Sequence, residues 1–396
     1  MASPQNLWMN RPSFHLLRTS DVLLHGMDSR ELARLAKQGK LRRIRRGFYI
    51  DAEEWNHASP ASRHELFLRV AVETVDFRLP LHGVSGAFML GLPLRRLPEQ
   101  AHLADTRQSG SRSQPGIIRH RPDGRHRHVV AVRALPCSDP VNTALDVVLR
   151  EDFDWGVAIL DRLLNPQLLS SEDATGRWES CSRSQIGPRG LAHASQGWSL
   201  PGDVGPTEYG ERSPTPAGAE RRPGKEGAGL AQVPVSGAAP RWDRVAIQRV
   251  IEQVVSGPKR RKLEAILAFA DGNGFLPGES LSRVAMYDQG FPQPELQTEF
   301  RDRSGLIGYT DFHWRSWKLV GEFDGDQKYV KPEYLKGRTV SQVVMAEKTR
   351  EDRLRRLGLS VVRWTWADVV HPERLASLLR GAGLPVSQRP RWTLPC

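Results

Sequence analysis

Two short runs decide the reading of this chain: Tyr309-Thr310-Asp311-Phe312-His313 and Leu319-Val320-Gly321-Glu322-Phe323-Asp324-Gly325. Each is apolar with strand character, and each carries an acid in its interior. Residues i and i+2 of a strand share a face, so Glu322 and Asp324 project together. If the two runs pair as a hairpin, Asp311 joins them. Carboxylates gathered at a sheet edge make a hard-oxygen site suited to Mg²⁺. Acids inside apolar strands are costly unless paired or metal-bound.

Outward from these strands, the pattern predicts a compact C-terminal unit over residues 242–386. A basic helix is expected over Val245–Ala270 and another over Glu279–Gln289. A strand follows at Leu296–Phe300, then the two acidic strands. A charged helix covers Val340–Leu357, a buried strand runs from Leu359 to Trp366, and a last helix spans His371–Leu379. After the first basic helix the order reads α-β-β-β-α-β-α.

The N-terminal stretch predicts a winged helix-turn-helix over residues 14–55. Thr19-Ser20-Asp21 can cap a short helix that ends at Gly26. Asp28 caps a second helix, Ser29–Gln38, with Leu32 and Leu35 on its inner side. Lys40 to Ile50 then reads as two strands about Arg46-Gly47, with five basic residues among positions 40–46. The second helix of such a motif enters a DNA groove. Arg30, Arg34 and Lys37 on that helix, and Arg42, Arg43, Arg45 and Arg46 on the wing, are the expected DNA contacts. A solvated basic hairpin on a protein-binding domain would carry the same residues.

Between these units, residues 59–170 predict an α/β region. A helix is expected around Leu66–Thr74, small residues at Gly83 to Gly91 suggest close packing, and Asp139 can cap a helix through Asp146. His102, His120, His126 and His128 lack metal-ligand spacing and read as ordinary polar residues. Asp146 and Asp161 fit caps or ion pairs. Residues 171–240 are dominated by Gly, Pro, Ser and Arg, so disorder is expected there. A linker, an insertion and a misassembled coding stretch all fit that composition.

The 396-residue chain has a net charge of +12 and a pI near 10. That balance favours polyanions. Cys137, Cys181 and Cys396 match no disulfide framework or zinc spacing. No apolar run reaches the length of a membrane span, and the N-terminus shows no signal-peptide core. A cytoplasmic protein without a membrane role is the expectation.

The C-terminal order, with acids on its second and third strands, resembles the restriction-endonuclease-like fold, the PD-(D/E)XK superfamily. Pro294-Glu295-Leu296-Gln297, Val320 to Gly325, Glu347 to Asp352 and Val361 to Trp366 resemble bacterial proteins akin to very-short-patch-repair (Vsr) endonucleases. Ser29-Arg30-Glu31-Leu32, Arg45 to Tyr49 and the Gly86–Leu92 segment are similar to the AbiEi antitoxin winged helix and its following domain. The resemblance implies a multi-domain α+β chain: a winged helix-turn-helix, an α/β middle region of AbiEi-like type and a nuclease-like C-terminal domain. It matches Asp311 to the strand-two Asp, Glu322 to the acid of the (D/E)XK motif, and Glu279 to a helix glutamate that completes a metal site. Asp324 stands where the motif has lysine. Lys328 or Lys348 would then supply the cation.

Two functions follow. One is a Mg²⁺-dependent DNA endonuclease with Asp311, Glu322 and Asp324 as metal ligands, Glu279, Lys328 and Lys348 in support, and a winged helix for targeting. The other is an antitoxin-like DNA-binding transcriptional regulator whose nuclease fold is inactive, with a toxin as its expected partner. The missing motif lysine favours the second and the intact acids favour the first. Oligomeric state, and DNA against RNA, stay open at this point.

Overall fold

The computed structural model describes residues 14–24, 29–75, 77–105, 114–121, 128–165, 174–177, 242–274, 276–325, 339–387 and 392. The first unit runs β1 (Leu17–Arg18), α1 (Thr19–Leu24), α2 (Ser29–Lys37), β2 (Leu41–Arg45) and β3 (Phe48–Asp51). Its antiparallel sheet has the order β1-β3-β2. Two helices followed by a hairpin give the winged arrangement. Gly47, at φ 85°, takes the left-handed position in the turn between β2 and β3. Leu32, Leu41 and Tyr49 form a small core with Leu17 and Leu35. Ile50, on the other face of the sheet, packs with Leu66 and Val70 of the next unit. Arg18 adds a tie by donating to Glu73 at 3.1 Å.

Asp51 then caps α3 (Ala52–His57), accepting from the Glu53 and Glu54 amides at 2.8 and 3.0 Å. α4 (Pro60–Thr74) and α5 (Gly83–Met89) follow. β4 (Ala101–Ala104) and β5 (Ile117–His120) pair in parallel, while β6 (Val129–Val132) and β7 (Leu135–Ser138) form a hairpin. α6 (Pro140–Val148) starts under its Asp139 cap, which accepts from the Asn142 amide at 2.9 Å. α7 (Phe153–Leu164) completes the core. β8 (Ala174–Arg177) pairs with β6, so these four residues form a strand inside the stretch read as disordered. Residues 178–240 lie outside the described residues.

The basic helix expected over Val245–Ala270 is two helices, α8 (Arg244–Glu252) and α9 (Gly257–Phe269). Gly257-Pro258 explains the break, because proline suits the first turn of a helix and not its interior. Both helices bury their apolar stripe in the middle core. Ile247, Ile251, Leu263, Ile266 and Leu267 share one cluster with Val148, Ile159 and Leu160. The core therefore changes after α9, not at residue 242. An apolar stripe says that a helix is buried, but not against which partner.

The C-terminal unit comprises α10 (Pro277–Asp288), β9 (Glu295–Asp302), β10 (Gly305–Trp314), β11 (Leu319–Phe323), α11 (Val340–Arg356), β12 (Ser360–Trp364), α12 (Trp366–Val369) and α13 (Pro372–Gly381). The sheet order is β12-β11-β10-β9. β9, β10 and β11 pair antiparallel, and β12 runs parallel to β11. Phe312, Trp314, Phe323 and Trp364 line one face with Leu281 of α10 and Leu375 of α13. Val320 and Val361, on the opposite face, meet Leu354 of α11. The Thr365/Asp368 capping box starts α12 at Trp366, which shortens the strand expected to reach that residue.

Candidate nucleic-acid interface and the acidic sheet

On α2, Arg30, Arg34 and Lys37 are exposed. Arg34 is committed locally: its Nε donates to Glu31 at 2.8 Å, and a second guanidinium nitrogen reaches the other carboxylate oxygen. On the wing, Arg42, Arg43 and Arg46 are exposed. Together with Lys37 they form no ion pair with any described residue. A bulge between Arg43 and Arg45 breaks the alternation of β2. Arg42 and Arg43 precede it in regular register, opposite Ile50 and Tyr49. Arg45 takes another role: it is half-buried with its guanidinium beside Gly116, and burial lowers its pKa. Arg45 thus leaves the set of exposed cations, and Arg34 is shared with Glu31.

In the C-terminal sheet the expected acids are neighbours in register. Phe312 faces Gly321, which puts Asp311 level with Glu322 across the β10–β11 pair. Glu322 in turn pairs with Arg363 of β12. Each acid has partners. Asp311 accepts the Gln297 side-chain amide at 3.2 Å and the Phe323 backbone amide at 2.9 Å. Glu322, 9% exposed, takes Arg350 at 2.5 Å and Arg363 at 3.0 Å. Arg363 also stands 3.9 Å from Asp324, 3.9 Å from Glu347 and 3.5 Å from Glu351.

The strands therefore carry Asp311 and Glu322 on one face, with Asp324 just past the end of β11, but Glu322 is held there by two guanidiniums. Among the described residues, no group of three or more His, Cys, Asp or Glu side chains is arranged to hold a metal ion. Glu279 is buried in α10, which packs on the face bearing Phe323, opposite to Glu322. Lys348 is exposed, whereas Glu347, Arg350, Glu351 and Arg353 of α11 are half-buried. It does not join the acids, since one residue along a helix is a turn of about 100°. Lys328 lies outside the described residues.

Three participants carried no site assignment in the sequence reading. Arg363 was visible only as part of a buried strand, and its closeness to Glu322 depends on strand register. Gln297 sits in the left-handed region at φ 48°, an uncommon place for a non-glycine residue, while holding Asp311. The third is a histidine group in the middle unit. His102 Nδ1 and His120 Nε2 are 2.9 Å apart, and the His82 ring lies 5.5 Å from that of His120. His82 Nδ1 is 3.2 Å from Ser138 Oγ, and its Nε2 is 4.0 Å from Asp146. Burial pushes His102 down to about 4 and lowers His120. No helix among the described residues is long and apolar enough to cross a membrane.

Two proteins of Mycobacterium tuberculosis, "Uncharacterized protein MT2308" of strain CDC 1551 and "Uncharacterized protein Rv2248" of strain H37Rv, are each 31% identical over 144 residues. The match takes in 35% of this chain and 50% of each relative, so the chain spans about half the length of these curated relatives. A crystal structure of the RV2827C protein from the same species aligns over 72% of this chain and 83% of that one, at 14% identity. Its TM-score of 0.27 is too low to speak for a shared fold. Residues 14–50, which form the two helices and the wing, match the family described as "Transcriptional regulator, AbiEi antitoxin", and this segment is an antitoxin-like regulator domain.

Proposed function

We propose that this protein is an antitoxin-like, DNA-binding transcriptional regulator that engages the phosphate backbone through its N-terminal winged helix. One observation carries the reading: the wing of an AbiEi-type domain presents Arg42, Arg43 and Arg46 to solvent with no acidic partner among the described residues. Elsewhere, exposed arginines such as Arg34, Arg301 and Arg315 are answered by nearby carboxylates. Cations left unpaired in an exposed hairpin suit a phosphate ligand. A toxin partner follows from the same likeness. Binding of the full chain to labelled duplex across a salt series tests the reading. Replacing Arg42, Arg43 and Arg46 by Ala should flatten the slope of log K against log salt by about 0.9 for each phosphate that the wing no longer neutralises. An unchanged slope would remove the wing from the interface.

A second reading is a Mg²⁺-dependent DNA endonuclease centred on the C-terminal sheet. What supports it is the placement of Asp311 and Glu322 on one face of adjacent strands, with Asp324 near the same Arg363 just past the strand end. Bound there, a magnesium ion would supply Lewis-acid chemistry at a phosphodiester. Plasmid nicking with and without Mg²⁺, beside Asp311→Ala, separates the two functions. Cleavage that needs both the metal and Asp311 establishes the nuclease, and tight binding without cleavage leaves the regulator.

A further inference from the structure

We propose that the pair α8–α9 is a second nucleic-acid surface, separate from the wing, in which Lys259, Arg260 and Arg261 contact phosphates. The inference shares its ligand with the DNA-binding reading above and rests on different residues. α8 ends at Glu252 and α9 begins at Gly257, so a four-residue turn joins two helices that share one core. That is the turn length of a helix-turn-helix, whose second helix meets DNA with its N-terminal residues. Here those residues are Pro258-Lys259-Arg260-Arg261-Lys262.

The charges are not there to stabilise the helix. Cations near a helix N-terminus oppose its macrodipole. The first turn of α9 holds no acidic residue to offset them, and Ser256 makes no side-chain cap. Lys259, Arg260 and Arg261 are exposed. Arg260 has Glu264 at 3.8 Å, whereas Lys259 and Arg261 pair with no described residue. Lys262 behaves differently and shows what a structural lysine does here. Its ammonium donates to the Glu151 and Leu149 carbonyls at 2.6 and 3.5 Å, beyond the end of α6. That contact satisfies carbonyls left over at a helix C-terminus and fixes the start of α9 on the middle core. Arg249, in the last turn of α8, is exposed as well. A rigidly held helix with outward cations, tolerated against the dipole, fits a polyanion. Guanidiniums favour phosphate among polyanions because their planar fork can bond two oxygens at once.

The test compares the full chain with a triple variant, Lys259→Ala, Arg260→Ala and Arg261→Ala, by fluorescence anisotropy on random-sequence duplex over about 50–200 mM salt. The expected result is a salt slope shallower by about two to three units, at about 0.9 per neutralised phosphate. The melting temperature should be unchanged or raised, because unfavourable dipole charges have gone. A milder pair, Lys259→Gln with Arg261→Gln, should give a shallower slope by about two-thirds as much and covers the case of a triple variant that folds poorly. The wing variant is run in parallel. If it weakens binding while both α9 variants keep the parent slope, the inference fails and the regulator reading stands. If the parent binds no DNA, both fail. If the triple variant loses binding to poly-glutamate and keeps its DNA affinity, the patch takes an acidic protein and the inference is overturned.

Discussion

Replacing Asp161 by Ala should destabilise the protein more than removal of any surface ion pair. Asp161 lies on α7 with its side chain wholly buried. It accepts from Arg283 of α10 at 2.9 Å to both oxygens, from Ser280 Oγ at 2.6 Å and from the Asp271 backbone amide at 2.6 Å. Arg283 is itself only 6% exposed. Without the carboxylate, its guanidinium keeps Asp271 at 3.9 Å and the face of Phe269 at 4.9 Å. Removing one partner of a buried pair costs about 3–5 kcal/mol, because the other charge stays buried without compensation. A domain of ordinary stability holds about 5–15 kcal/mol in total. Urea unfolding followed by tryptophan fluorescence would read the C-terminal core, where Trp155 of α7 and Trp364 of the sheet share one cluster, and far-UV circular dichroism would read the helices of the middle unit beside it. The midpoint should fall sharply, and the middle and C-terminal cores should begin to unfold separately. Exchanging both residues for apolar ones, Asp161→Leu with Arg283→Met, should recover much of the loss. A cost of less than about 1 kcal/mol for Asp161→Ala, the range of exposed pairs, would refute this reasoning.

Stability should also fall as the solution is acidified below neutrality. Burial lowers His64 and His102 to about 4 from an ordinary value of 6.5. A histidine with a depressed folded pKa favours the neutral form, so its contribution is complete above 6.5 and is lost between 6.5 and about 4. Asp161 acts in the opposite sense: burial raises it to about 6, so proton uptake favours the fold between about 6 and 3.8 and offsets part of the loss. Melting temperatures from about pH 7.5 to 4.5 should decline, and His64→Gln with His102→Gln should flatten the decline; a flat parent profile would contradict the burial argument. Gly278→Ala should cost about 1–3 kcal/mol, since overpacking a filled core forces its neighbours to shift. A methyl there would stand 2.2 Å from the Phe323 ring. Adding Phe323→Leu should relieve the clash, and a Gly278→Ala protein as stable as the parent would show that α10 can slide.

Local signals were legible where chain neighbours decide the structure. The α2 stripe of Leu32 and Leu35, the Arg46-Gly47 turn and the Asp139 cap each act within a few residues. The same holds for the strands at Asp311 and Glu322, where alternation alone places the acids. What stayed hidden depends on partners far along the chain. His82, His102 and His120 come from a helix cap and two strands, and no spacing rule joins them. Arg363 was silent because its meaning comes from lying beside Glu322, 41 positions away in the chain and adjacent in register. The bulge that turns Arg45 inward has no marker in a run of arginines that looks uniform by composition.

The pairing of Glu322 sets what each functional reading demands of the C-terminal sheet. Its Oε1 takes Arg350 and its Oε2 takes Arg363, so each oxygen already faces a cation. A divalent ion bound to that carboxylate would sit beside two positive charges in a half-buried setting, where like charges are poorly screened. Metal occupancy and the arginine pairing are therefore opposed at this residue. Arg363 has somewhere else to go, because Asp324, Glu347 and Glu351 stand within 3.9 Å of its guanidinium. Arg350 is tied further by a hydrogen bond to the Tyr309 carbonyl. A nuclease would need Arg363 to yield Glu322 and remain close by on those acids, supplying the positive charge expected of the motif lysine. A regulator needs no such exchange: the same arginines hold α11 to the sheet and neutralise an acid that would otherwise be costly to bury.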